Sequence, residues 1–139
     1  MGAIACEDEK VIKKKETEYI LVIGSHREVL EYYRRFLQTE GYGVKISTFL
    51  EEDVTTISQI QPDLILFDLL VDTQQEKLAW HLLGDLKAEM VTAAIPLLVC
   101  TAAFVLPNFA TAIQKHQIPT FFKPFRLIDL GREIHLLLL

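Results

Sequence analysis

Pro62-Asp63-Leu64-Ile65-Leu66-Phe67-Asp68 decides the fold. A proline and an acid open the stretch, four apolar residues follow without a break, and a carboxylate closes it. A short, unbroken apolar run of this kind reads as a strand covered on both faces, as in a parallel sheet. Pro96 introduces another, Leu97-Leu98-Val99-Cys100, which ends at Thr101. A shorter run around Thr120–Phe122 ends at Lys123. The first run in the chain, Tyr19-Ile20-Leu21-Val22-Ile23, leads instead into Gly24-Ser25. A carboxylate, a hydroxyl and an ammonium therefore stand at successive strand ends, and the first strand ends in two small residues.

Amphipathic segments separate these runs. Glu28–Thr39 carries Val29, Leu30, Tyr33, Phe36 and Leu37 at helical spacing, and Gly41 is placed to stop it. Val44, Ile46 and Thr48 alternate, which predicts a second strand with a more exposed face. A short helix near Glu51–Ser58 follows. Leu78, Leu82, Leu83 and Leu86 mark the next helix, with Trp80 expected to lay its indole partly against the core. Further helices are expected near Phe109–His116 and from about Leu127. Strand–helix alternation with short connections means a parallel sheet with right-handed crossovers. Five strands and five helices predict a three-layer open α/β domain. In such sheets ligands and chemistry gather at the carboxyl ends of the strands. Gly24, Asp68, Thr101 and Lys123 all fall there.

Composition narrows the function classes. A chain of 139 residues, half of them apolar, is one domain with a sufficient core and needs no disulfide scaffold. A net charge of -5 argues against a nucleic-acid surface. Cys6 and Cys100 are far apart, one in the polar tail and one at a strand end, so they suggest neither a disulfide framework nor a zinc site. Cys100 reads as a small buried apolar residue. A reducing, cytoplasmic compartment fits this usage, and no apolar run is long enough to span a bilayer. Residues 1–18 read as a flexible N-terminal extension without the apolar stretch of a signal peptide, its Lys13-Lys14-Lys15 run solvated. Residues 19–139 form the domain.

Each strand-end residue has chemistry to offer. A carboxylate can act as a nucleophile. A lysine opposite it can neutralise charge on a transferred phosphoryl group, and a hydroxyl can bind a phosphoryl oxygen. The Lys123-Pro124 bond is of the type that adopts the cis form, which would aim the lysine. Gly24-Ser25-His26-Arg27-Glu28 has a single glycine and is neither a dinucleotide fingerprint nor a P-loop, which speaks against a nucleotide or flavin site.

From Tyr19 to Leu139 the chain resembles the response-regulator receiver domains of two-component systems. The likeness rests on Tyr19–Ile23, Pro62–Asp68, Ala94 through Thr101-Ala102, and Phe122-Lys123-Pro124-Phe125. It implies the flavodoxin-like three-layer sandwich with strand order 2-1-3-4-5. It implies Asp68 as the phosphoacceptor position, Thr101 as a contact to the phosphoryl group and Lys123 as its cationic partner. It implies a signalling module with no enzymatic activity beyond phosphorylation and dephosphorylation of Asp68. The family usually has two adjacent acids after strand one that help bind Mg²⁺, and Gly24 and Ser25 stand there. The aromatic switch position is Thr120. The loop after Asp68, Leu69–Gln75, lacks the usual Pro-Gly.

Mg²⁺ requires near-octahedral oxygen ligation at roughly 2.0–2.1 Å. Only Asp68, with the Leu70 backbone carbonyl, is on offer, so weak Mg²⁺ affinity and slow phosphorylation are expected. His26 and Asp72 read as solvated loop residues rather than substitute ligands. Thr101 could equally cap the following turn, and Asp68 could serve only as the ion-pair partner of Lys123. Two functions follow. One is a phospho-accepting receiver served by a histidine kinase or phosphotransfer protein. The other is a phosphorylation-independent receiver fold that docks a protein partner or a second copy. The apolar excess at Leu127, Ile128, Leu130, Ile134 and Leu136–Leu139, with Phe104, Val105, Leu106 and Phe109 nearby, places such an interface on the last two helices.

Overall fold

The computed structural model describes residues 17–70, 73–102 and 107–139. Most of the N-terminal extension, with Cys6 and the lysine run, lies outside them, as do Asp72 and the Phe104-Val105-Leu106 stretch.

The elements alternate as β1 (Tyr19–Gly24), α1 (Arg27–Thr39), β2 (Gly43–Thr48), α2 (Val54–Ile60), β3 (Leu64–Asp68), α3 (Thr73–Ala88), α4 (Met90–Ala93), β4 (Leu97–Thr101), α5 (Pro107–Lys115), β5 (Thr120–Phe122) and α6 (Leu127–Leu137). The strands form one sheet in the order β2-β1-β3-β4-β5, every pair parallel. The five expected helices are all present. The addition is α4, a single turn that α3 holds in place: Thr92 Oγ1 donates to Leu86 O at 2.6 Å, and Lys87 Nζ donates to Ala93 O at 3.1 Å. Its Met90 and Val91 are exposed, so the segment has no apolar periodicity to announce it.

Strand alternation builds two cores. Leu21, Ile23, Ile65, Phe67, Leu97 and Val99 pack with Ile57 of α2, Leu82, Leu83 and Leu86 of α3, and Phe109 of α5. Ile20, Val22, Leu64, Leu66, Leu98 and Cys100 pack with Leu30, Tyr33 and Leu37 of α1 and Leu130 and Ile134 of α6. The central strands β1, β3 and β4 are almost wholly buried, which is why their apolar runs are unbroken. As the edge strand, β2 is only partly covered and shows alternation instead. Trp80 is half-buried against the first core, as the sequence suggests.

Gly41 ends α1 in the left-handed region, with φ at +96°. Gly41 N–H donates to Gln38 O at 3.0 Å and Tyr42 N–H to Leu37 O at 3.1 Å, which closes the helix in a Schellman motif. The turn delivers the chain straight into β2.

Candidate functional site

Register brings the strand ends together. Gly24 pairs with Asp68, Asp68 with Cys100, and Thr101 with Phe122 next to Lys123. The Lys123–Pro124 peptide is cis. Lys123 N–H donates to Thr101 O at 2.7 Å, which ties the end of β5 to the end of β4.

Asp68 and Lys123 meet. Lys123 Nζ lies 2.8 Å from Asp68 Oδ1, and it also donates to Leu69 O at 3.2 Å. The Asp68 residue is 1% exposed. The Leu70 residue, whose carbonyl the sequence reading offered to a metal, follows β3 half-buried, and the lysine head takes the Leu69 carbonyl before it.

The second donor to Asp68 comes from α1. Tyr33 Oη donates to the same Oδ1 at 2.6 Å. Burial, with Cys100 and Asp68 beside it, pushes the phenol far above its ordinary range, so Tyr33 stays protonated and acts as the donor. An O–H···O⁻ bond of this length is a charge-assisted one. The same surroundings act on Cys100, whose thiol is pushed up to about 12 by burial and then by the Asp68 charge. It is a buried, protonated packing residue, as expected.

Sequence reasoning counted Tyr33 among the apolar positions of α1. The signal it left is chemical: a tyrosine on an otherwise apolar face needs a partner for its hydroxyl. The face points at the end of β3, where Asp68 is the available acceptor.

Among the described residues, no other site position is hydrogen-bonded to the Asp68 side chain. Thr101 is buried, and its hydroxyl has no hydrogen-bond partner among the described residues. Its position in β4 has the parity of Leu97 and Val99, which face the other core. Ser25 Oγ lies 2.9 Å from His26 Nδ1, and His26 takes the N-cap position of α1 without a side-chain cap. Thr120 Oγ1 donates to Ile118 O at 3.3 Å. Gly24 carries no ligand, and the room beside it is taken. A Cβ there would stand 2.7 Å from Leu30 Cδ2 and 3.1 Å from Asp68 O.

A Mg²⁺ ion would need several oxygen ligands. No group of three or more His, Cys, Asp or Glu side chains converges among the described residues. The Asp68 carboxylate already receives Tyr33 and Lys123. This donor set does not fit Mg²⁺. What the arrangement does chemically is neutralise Asp68 internally.

No family model matches the sequence, and no curated protein matches it. Solved structures do. A response regulator from Desulfuromonas acetoxidans is 19% identical, with a TM-score of 0.67 over 87% of this chain and 96% of that one. A signal receiver domain of two-component signal transduction from Clostridium thermocellum is 19% identical, with a TM-score of 0.63 over 87% and 97%. The chemotaxis protein CheY4 of Vibrio cholerae is 14% identical, with a TM-score of 0.65 over 87% and 98%. The fold is thus that of response-regulator receiver domains, flavodoxin-like, with the strand order expected of them. No helix among the described residues is long and apolar enough to cross a membrane.

Proposed function

We propose that this chain is a receiver-type signalling module that works by docking a protein partner, without depending on phosphorylation of Asp68. The fold it shares with receiver domains supports the signalling role. One observation carries the rest: the Asp68 carboxylate is buried and already held by Tyr33 and Lys123. A phosphoacceptor must reach the phosphorus of its donor, and charge on the transferring oxygens must be neutralised. Here the lysine is spent on the carboxylate itself, and the depleted oxygen set supports weak Mg²⁺ binding at most. The module is not an enzyme.

The partner is a protein or a second copy of this chain. The exposed apolar side chains on α6, Ile128 and Leu136, support an interface on that helix beside Tyr42, whereas Phe109 of α5, expected from sequence to share the patch, is fully buried in the core.

A second reading keeps Asp68 as a slow phosphoacceptor served by a histidine kinase or phosphotransfer protein. The buried Thr101 hydroxyl, without a partner among the described residues, favours it, because such a group ordinarily has an acceptor or donor. Incubating the protein with acetyl phosphate and Mg²⁺, then mapping mass at Asp68, separates the two. We expect no mass gain. A gain that Asp68→Asn abolishes would establish the second reading and remove the first.

A further inference from the structure

Three elements explain together why Asp68 is sealed. β1 ends at Gly24, directly opposite Asp68 in register. A side chain at that position would need space that Leu30 holds, since a Cβ would fall 2.7 Å from Leu30 Cδ2 and 3.3 Å from Asp68 Cβ. Leu30 is fully buried, so it cannot swing out to water as a surface side chain would. Leu30 and Tyr33 are one turn apart and share a helix face. Where Leu30 seats therefore fixes where Tyr33 seats, and that seat puts the phenol 2.6 Å from Asp68 Oδ1. Leu37, one further turn along, is buried on the same face and anchors the far end. Lys123, which follows β5, reaches the same oxygen at 2.8 Å.

We propose that Tyr33 is a resident ligand of the Asp68 carboxylate, positioned by the seating of Leu30 against Gly24, and that it excludes divalent cations and phosphoryl-like oxyanions from this site. The inference rests on the docking reading above. It gives Gly24 a role other than a lost ligand. Absence of a side chain there lets α1 settle onto the strand ends, so the missing acid and the tyrosine seal form one packing unit. An acid restored at this position by itself would meet Leu30 and could not reach a metal.

Fluorine NMR with beryllofluoride and Mg²⁺ tests this on the full chain. Wild type and Gly24→Asp should give no protein-bound fluorine resonance. The triple variant Gly24→Asp/Leu30→Ala/Tyr33→Phe should give one, and adding Asp68→Asn should abolish it. A bound signal in wild type would overturn the docking reading itself. A bound signal in Gly24→Asp alone, or none in a folded triple variant, would overturn the role given to Leu30 and Tyr33 and leave that reading standing. Should the triple variant not fold, the hydroxyl proton decides. In wild type the Tyr33 hydroxyl should exchange with water at least about tenfold more slowly than that of exposed Tyr32, and Asp68→Asn should shift its resonance. Exchange at the Tyr32 rate would overturn the contact.

Discussion

Asp68 and Lys123 form a pair whose members differ sharply in their access to water. The side chain of Asp68 is 2% exposed and that of Lys123 is 27% exposed. Burying a charge without its partner is far more costly than leaving one at the surface. Lys123→Met strands a buried carboxylate with Tyr33 as its remaining described donor. It should lower stability by about 3 kcal/mol. Asp68→Asn frees a lysine that can turn toward solvent, and the asparagine can still accept from Tyr33. It should cost no more than about 1.5 kcal/mol. Urea unfolding of the two variants checks the ordering, and equal losses would show that the pair is not asymmetric in this way. The same burial pushes the Tyr33 phenol up, so it remains the hydrogen-bond donor near neutrality.

Among the elements, α1 carries most of the site's logic. Its buried face, Leu30, Tyr33 and Leu37, is set by helical spacing, and its end is set by Gly41. The start of α2 shows how local chemistry adds pH dependence. Asp53 caps this helix, accepting Thr56 N–H at 2.7 Å, and that bond holds its carboxyl below the usual range. A value lower in the folded state than in the unfolded one stabilises the fold above the ordinary carboxylate range. The contribution is lost as pH falls through the lowered value. Glu51 is held down in the same direction, first by Thr48 and then by Arg27, and adds to the acid-side loss. Asp53→Asn keeps the capping acceptor and removes the titration. Its thermal stability should therefore decline less steeply than wild type below about pH 4. Parallel declines in the two proteins would mean that the cap carries no linkage.

At the scale of the molecule, two cores lie on opposite sides of one sheet, and α6, on the second, leaves apolar side chains exposed. Leu130 and Ile134 are in the core, whereas Ile128 and Leu136 stand 53% and 61% exposed on the same helix. They border a groove with Tyr42 and Gly131. If a second copy docks there, chromatographic mass measured by light scattering should rise with concentration. Ile128→Glu/Leu136→Glu should hold the protein monomeric without changing its circular dichroism. A strict monomer at all concentrations would remove self-association and leave a different protein as the partner.

The fold was legible because its evidence is periodic. Unbroken apolar runs report strands covered on both faces, and the alternation in β2 reports an edge. Parallel crossovers then bring the carboxyl ends of the strands to one side, which placed Asp68, Thr101 and Lys123 on one edge without any distances. The pairing of Asp68 with Lys123 could be anticipated for the same reason, since β3 and β5 end on the same edge with only β4 between them, within reach of a lysine side chain. Tyr33 could not. It lies 35 residues from Asp68, and its pattern is that of any core position on an amphipathic helix. Whether its hydroxyl meets the carboxylate depends on how deeply α1 settles, and that depends on Leu30 filling the space beside Gly24. Such a fit is set by side-chain volumes at close contact across distant segments, where shifts of less than an ångström decide which atoms touch. Sequence by itself determined the sheet, its ends and the charges there. Packing alone decided that the carboxylate would be closed by a tyrosine.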